Sequence, residues 1–211
     1  GFVSRNDYVQ ADYDFSIDRS DVPGLRALST SVQIFNQWTT DLQPTRVGGF
    51  LNRTYTYLDN SSFSASVRYF NPRIDDRLGQ GSGTFRIPER WGMNFNWSDD
   101  PSKKPSLEAG INAGQEDLGS KILTVSTGFT YRPIDNFSML FDVSYTDRES
   151  LLVYQGNGHY TSFEATQWAP KLSVDYFLSA KQQLRFSMQW TGLKAFEDRF
   201  LEVNPNKVDF L

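Results

Sequence analysis

Apolar side chains recur at every second residue over eight separate segments, and that period fixes the secondary structure before anything else. From Val9 the odd positions read Val9, Ala11, Tyr13, Phe15 and Ile17, with Gln10, Asp12, Asp14 and Ser16 between them. Successive strand side chains point to opposite faces, so the pattern is a strand with one apolar and one polar side. The same reading returns over 63–69, 91–97, 107–114, 123–131, 137–146, 168–176 and 183–190. Thr127 and Pro170 alone interrupt the apolar side, and Leu140 and Ala169 the polar side. Two less regular strands are expected over 27–39 and 46–58, the second with a bulge at Gly48-Gly49. Short segments near 151–154 and 159–166 are expected to pair beyond the main sheet. The total is about ten to twelve strands, and no capped 3.6-residue period competes, so the chain reads as all-β.

The connections order those strands. Asp59-Asn60-Ser61, Pro133-Ile134-Asp135-Asn136 and Ser179-Ala180-Lys181 are compact, turn-rich links. Longer polar or glycine-rich links fall between them, over 18–26, 71–90, 115–121 and 147–162, while 98–106 is longer than a tight turn. Short links at one end and long ones at the other characterise membrane barrels. No linker divides the chain, so residues 1–211 form a single β-barrel domain or a fragment of one.

Alternation does not say what covers the apolar side. A soluble sandwich buries it against another sheet, whereas an outer-membrane barrel turns it toward hydrocarbon. The segments are long for a soluble protein, where five or six residues is usual, and suit a tilted crossing. Trp and Tyr collect toward the ends of the apolar stripes, where an amphipathic ring meets the membrane–water boundary. The polar side is mostly Ser, Thr, Asn, Gly and Gln with isolated charges of both signs, unlike the Lys- and Glu-rich outer face of a soluble sheet. The expectation is therefore an antiparallel up-and-down barrel of outer-membrane type. Tyr13, Phe15, Phe95, Phe141 and Phe186 would face lipid. Tyr69, Trp91, Trp97, Tyr131, Tyr145, Trp168, Tyr176 and Trp190 would form the aromatic belts. Asp12, Asp14, Arg68, Glu108, Asp142, Lys171, Asp175 and Arg185 would line the lumen.

Composition removes several chemistries. With 21 Lys+Arg against 25 Asp+Glu the formal charge is −4, the wrong sign for a phosphate-backbone binder, so no nucleic-acid partner is expected. There is no Cys and only one His, which excludes thiolate chemistry and multi-histidine metal sites. The longest apolar run is Leu151-Leu152-Val153-Tyr154, far short of a membrane helix, and no leader-like segment precedes the first strand. The chain begins at Gly1, so a mature chain or an excised piece is expected.

Single motifs give little more. Gly79-Gln80-Gly81-Ser82-Gly83 leads into Thr84-Phe85-Arg86-Ile87 and not into a helix, so it reads as a flexible loop and not as a phosphate cradle. Asp12 and Asp14 share a strand face but read as lumen charges. Asp75-Asp76 and Asp99-Asp100 lack the spaced ligands of a calcium loop. His159, in Gly158-His159-Tyr160, reads as a loop histidine. Asn52, Asn60, Asn96 and Asn136 each begin an Asn-X-Ser/Thr triplet, read as coincidence in a bacterial chain. No catalytic residue, cofactor or metal is expected.

One resemblance bears on the whole. The run Trp168-Ala169-Pro170-Lys171-Leu172, the run from Asp175 through Arg185, the segment Gln189-Trp190-Thr191-Gly192-Leu193-Lys194-Ala195 and the opening Gly1-Phe2-Val3-Ser4-Arg5-Asn6-Asp7 carry it. Together they resemble the uncharacterised C-terminal barrel of bacterial outer-membrane proteins that begin with a family-nine-like carbohydrate-binding domain. The resemblance implies an outer-membrane location, lipid as the main partner and a carbohydrate-binding domain in the full-length parent, with no catalytic residues to carry over. This sequence lacks that domain, and Phe210-Leu211 follows a polar Asn204-Pro205-Asn206-Lys207 link in place of a last alternating strand, so an incomplete barrel is expected.

Three functions follow. The first is a non-enzymatic barrel region acting as membrane anchor or narrow conduit. The second is a soluble β-barrel binding module that holds an apolar or glycan ligand among its aromatics. The third, a barrel hydrolase, has His159 as its only candidate base.

Overall fold

The computed structural model describes residues 8–75, 85–116, 118–156, 158–179 and 181–202. Thirteen strands and no helix are present among them. They are β1 (Tyr8–Arg19), β2 (Leu25–Thr39), β3 (Pro44–Tyr57), β4 (Ser62–Phe70), β5 (Arg73–Asp75), β6 (Phe85–Ile87), β7 (Arg90–Ser98), β8 (Ser106–Gln115), β9 (Lys121–Tyr131), β10 (Phe137–Gly156), β11 (His159–Ser179), β12 (Gln182–Gln189) and β13 (Gly192–Glu202).

Each long strand pairs antiparallel with the next, in the order β1-β2-β3-β4-β7-β8-β9-β10-β11-β12, with β13 also on β11. The small β5–β6 hairpin forms a separate two-stranded sheet within the link between β4 and β7, with β5 against β3. β12 and β13 pair with successive stretches of β11 in one register: Lys171↔Gln189 is followed by Trp168↔Gly192. Pro170 lies opposite the gap. Its carbonyl accepts from the Trp190 amide at 3.0 Å, but proline has no N–H to return the second bond of that pair. The main sheet is thus a ten-lane meander whose last lane is interrupted by one missing donor. Pro170→Val should restore that donor and stabilise the fold by about 0.5–1.5 kcal/mol, read from a denaturant midpoint. An unchanged or lower midpoint would show that the interruption has another origin.

Several expectations change. No strand pairs β1 with β12 or β13 among the described residues, so the sheet stays open where a closed barrel was expected. The segments near 151–154 and 159–166 pair as expected, but the 147–162 link around them is largely strand: β10 and β11 run on as a continuous paired extension from Leu151↔Phe163 to Gly156↔His159. A register shift between Arg148 and Leu151 explains the misreading, because the extra residue breaks the alternation. Gly48 and Gly49 sit in unbroken register with Phe35 and Ile34, without the expected bulge. The glycines serve close approach instead: a Cβ on Gly48 would lie 3.0 Å from the Phe70 Cα and collide with the Tyr69 carbonyl.

The sheet has almost no dry core. Among the described residues the buried apolar ones are Leu28, Phe35, Ile87, Tyr160, Ala165 and Leu201. Tyr160 and Leu201 form the one core cluster among the described residues, in the β10–β11–β13 extension, with Leu118, Leu152 and Tyr154 against them. The accessible surface is 13599 Å², against about 10,000 Å² expected for a compact folded monomer of this mass.

Candidate functional site: an apolar face and a polar lining

Register decides which side chains share a face. Val9 pairs Trp38, Tyr13 pairs Ile34 and Phe15 pairs Val32, so the odd positions of β1 meet the even positions of β2. The parity then carries without a break through Leu51↔Val67, Val67↔Met93, Phe95↔Ile111, Ile111↔Val125, Val125↔Tyr145 and Tyr145↔Trp168. On β12, Phe186 pairs Val174 and Met188 pairs Leu172. One apolar face therefore crosses all ten lanes, and the described residues place no second layer over it.

The expected lipid-facing residues all fall on this face. Tyr13 is 66% exposed, Phe15 59%, Phe95 39% and Phe186 51%, while Phe141 is half-buried against Phe129. A compact soluble domain does not leave its largest apolar residues bare in a continuous band. The aromatic belt residues lie on the same face. Tyr69 and Trp91 pair at the end bearing the β4–β7 link, and the Tyr145 and Trp168 rings pack at a tilt with centroids 4.7 Å apart. Trp97, Tyr131 and Tyr176 stand toward the opposite end, and Trp190 lies beside Pro170. The Tyr69 hydroxyl donates to Glu89 at 3.0 Å, so its ring lies on the apolar face and its polar tip on an exposed carboxylate. Charged residues on this face include Asp147, opposite Leu123, Lys194, opposite Thr166, and Arg53. Arg53 lies between Thr30 and Ala65. Its guanidinium reaches over the Tyr55 ring at 5.2 Å, toward the strand end, as a snorkelling cation does.

The opposite face is polar and made of small residues. One cross-strand row reads Ser31, Asn52, Ser66, Asn94, Asn112, Thr124, Thr146 and Gln167; its neighbour reads Ser29, Thr54, Ser64, Asn96, Gly110, Ser126, Ser144 and Ala169. Small side chains are what the inner surface of a curled sheet has room for. A cavity of about 460 Å³ opens on this face among Ser62, Ser64, Asn96, Glu108, Ser126 and Asp142.

All eight expected lumen residues are on this polar face. Glu108, Gly128, Asp142 and Lys171 follow one another across four strands. Gly128 lets the two carboxylates approach, since a Cβ there would lie 2.8 Å from Glu108 Oε1 and against Asp142 Oδ1. Asp175 and Arg185 form a cross-strand ion pair at 2.7 Å. Asp12 accepts from Gln10, Asp14 lies opposite Gln33, and Arg68 lies along Gly92.

Sequence reading missed an aromatic cluster on this polar face. Phe35, Phe50 and Phe70, from three adjacent strands, have ring centroids 5.4, 5.5 and 5.8 Å apart. The Phe35 and Phe70 rings come together across Gly48, which has no side chain to keep them apart. Arg46 covers Phe35 at 4.3 Å and Arg90 lies 5.4 Å from Phe70. The available signal was that each of these phenylalanines sits at the wrong parity for its strand.

The remaining motifs do not converge. Asp99 binds Lys103 at 2.6 Å, and Asp100 accepts from the Ser102 amide at 2.8 Å and from Asn60 at 3.3 Å. Among the described residues no three His, Asp or Glu side chains are grouped to hold a metal. His159 opens β11 opposite Glu202 and Gly156, so it is a strand residue and not the loop histidine expected. Asn52 and Asn96 lie within strands and bond Ser31 and Asn94. The Gly79–Gly83 run, Asp76 and both chain ends lie outside the described residues.

The turns β3–β4 and β7–β8 meet through Asn60 and Asp100. The Ser61 hydroxyl and amide hold the Asp59 carboxyl below the usual carboxylate range, and the Ser102 amide and hydroxyl do the same for Asp100. A lowered folded value stabilises the fold above the unfolded value and loses that contribution as pH falls through the folded one. Acidification below about pH 4 should therefore speed hydrogen exchange at the Ser61 and Ser102 amides, and Asp59→Asn should remove the pH dependence at Ser61. A pH-independent exchange rate, after correction for intrinsic chemistry, would contradict this.

No protein-family model matches the chain, and neither a curated protein nor a solved structure matches it. No described helix is long and apolar enough to cross a membrane, which leaves crossing by strands open.

Proposed function

We propose that this chain is a membrane-embedded β-sheet region of a bacterial outer-membrane protein, its apolar face against acyl chains and its polar face lining a narrow interior. It acts as anchor or conduit and carries no catalysis of its own. The observation that supports this most is the apolar band that continues across ten lanes, with its large side chains exposed or half-buried and Trp and Tyr among them. A bare face of that size is costly in water and suited to hydrocarbon.

Ten antiparallel lanes would also put the first and last in opposite directions, which is the relation an up-and-down barrel needs to close with an even strand number. Closure by β1 against β12 and β13, or by further strands of a larger parent bearing a carbohydrate-binding domain, belongs to this proposal. The soluble ligand-binding barrel has less support, because the aromatic band would have to line its interior, whereas the cavity opens among serines and carboxylates.

The test uses the absence of native cysteine. Phe186→Cys and Ser187→Cys, each carrying an environment-sensitive fluorophore, should differ after refolding into phospholipid vesicles. Residue 186 should report hydrocarbon and residue 187 water. Equal emission from both, or a monomeric soluble chain in detergent-free buffer, would overturn the reading.

A further inference from the structure

We infer that a cavity on the apolar face, at the end bearing the β8–β9 link, is a site for the headgroup of an aminophospholipid, with its primary ammonium on Asp147. The inference rests on the membrane reading proposed above and names one lipid that this face selects.

The cavity has a volume of about 250 Å³ and lies among Trp91, Ala113, Lys121, Leu123, Asp147 and Glu149. Register puts these residues on one side of the sheet. Asp147 is opposite Leu123, Leu123 opposite Ala113 and Ala113 opposite Met93, and Trp91 is two residues from Met93 on the same strand face. Lys121 and Asp147 are diagonal neighbours, with Cα atoms about 7–8 Å apart. The cavity forms at a step in the sheet: β8 ends at Gln115 and β9 begins at Lys121, whereas β10 runs on past them to Gly156.

Charge selects the occupant. Glu149 is committed to Lys121, accepting from its amide at 3.0 Å and lying 3.5 Å from its ammonium. Asp147 is exposed and has no hydrogen-bond or ion-pair partner among the described residues. The cavity therefore carries one uncompensated negative charge, on the side that meets hydrocarbon, where a bare carboxylate is costly. Trp91 sets the level of the cavity at the membrane–water boundary, where the available counter-charges are lipid ammonium groups. An anionic headgroup would be repelled by Asp147. A quaternary ammonium has no N–H to give it, whereas a primary ammonium has three donors. The Trp91 indole offers the same cation a π face. Lys121 has donors beyond the one that Glu149 engages, and these stand in the same cavity for the lipid phosphate.

The test is native mass spectrometry of the full chain in a non-ionic detergent, titrated with phosphatidylethanolamine, phosphatidylcholine or phosphatidylglycerol of one acyl composition. The first molecule of phosphatidylethanolamine should bind about threefold tighter than that of either other lipid, the preference that an exposed ion pair supports. Asp147→Asn should equalise phosphatidylethanolamine and phosphatidylcholine, and Asp147→Lys should turn the preference toward phosphatidylglycerol. Asp135→Asn, in the β9–β10 turn at the opposite end, should leave the preference intact. Strand circular dichroism checks the fold, and the two Asp147 variants are independent reads should one fail to refold. Equal binding of the three lipids, or a preference that survives Asp147→Asn, would overturn the site. So would a preference that a calcium chelator abolishes, because a bridging metal ion would then carry it. The fluorophore pair at residues 186 and 187 separates this site from the reading beneath it: hydrocarbon emission at 186 without a headgroup preference removes the site alone, and water-like emission at 186 removes the membrane reading.

Discussion

Phe95→Arg should destabilise the lipid-refolded protein by about 2–4 kcal/mol, whereas Asn94→Arg, one residue away on the same strand, should cost under about 1 kcal/mol. Phe95 lies on the apolar face between Ala65 and Ile111, near the middle of its band. A charge there would have to be solvated by hydrocarbon, or would drag water and headgroups inward. Asn94 lies between Ser66 and Asn112 in a row of neutral polar residues, where a guanidinium finds acceptors. Denaturant unfolding in vesicles measures both. Equal costs would mean that the two faces meet the same medium, and the assignment of sides would fall.

The second large effect is at Gly48. A methyl group there meets backbone: the Tyr69 carbonyl oxygen, the Phe70 Cα at 3.0 Å and the Tyr69 carbonyl carbon at 3.2 Å. Backbone atoms have no rotamer to escape into, so Gly48→Ala should cost about 1–3 kcal/mol through displacement of β3 from β4. The same displacement separates Phe35 from Phe70, whose rings meet across Gly48. Gly24 is a useful contrast, because a side chain there has open space and only its backbone angle of +80° opposes substitution. Gly24→Ala should cost about 1–2 kcal/mol through its backbone alone. A Gly48→Ala protein as stable as its parent would show that the strands can separate there without loss.

Most of the sheet was legible in the sequence, because a two-residue period is a direct image of a strand with unlike sides. The eight regular segments became strands with the expected residues grouped on each face. What escaped reading has specific causes. Gly48-Gly49 was expected to bulge because glycine within a strand marks either a bulge or a close approach, and only the neighbouring chain distinguishes them. Within 147–162 the short strands near 151–154 and 159–166 were legible, but their continuity with the main strands was not, because the irregularity after Arg148 shifts the parity and a continuous strand resembles an interruption. Pro170 was a break in a pattern; with β12 and β13 in one register it becomes the reason a lane is split. The phenylalanine cluster was invisible for a different reason. Phe35, Phe50 and Phe70 are far apart along the chain, and only register brings them together over one glycine. Sequence periodicity specifies sides, whereas neighbours across strands come from register alone.

The most direct measurement of the central claim uses native residues only. All five tryptophans, Trp38, Trp91, Trp97, Trp168 and Trp190, belong to the apolar face. In vesicles whose lipids carry bromine on the acyl chains, their fluorescence should be strongly quenched, while acrylamide added to the water should quench it weakly. Emission that is indifferent to brominated lipid and readily quenched by acrylamide would contradict the account.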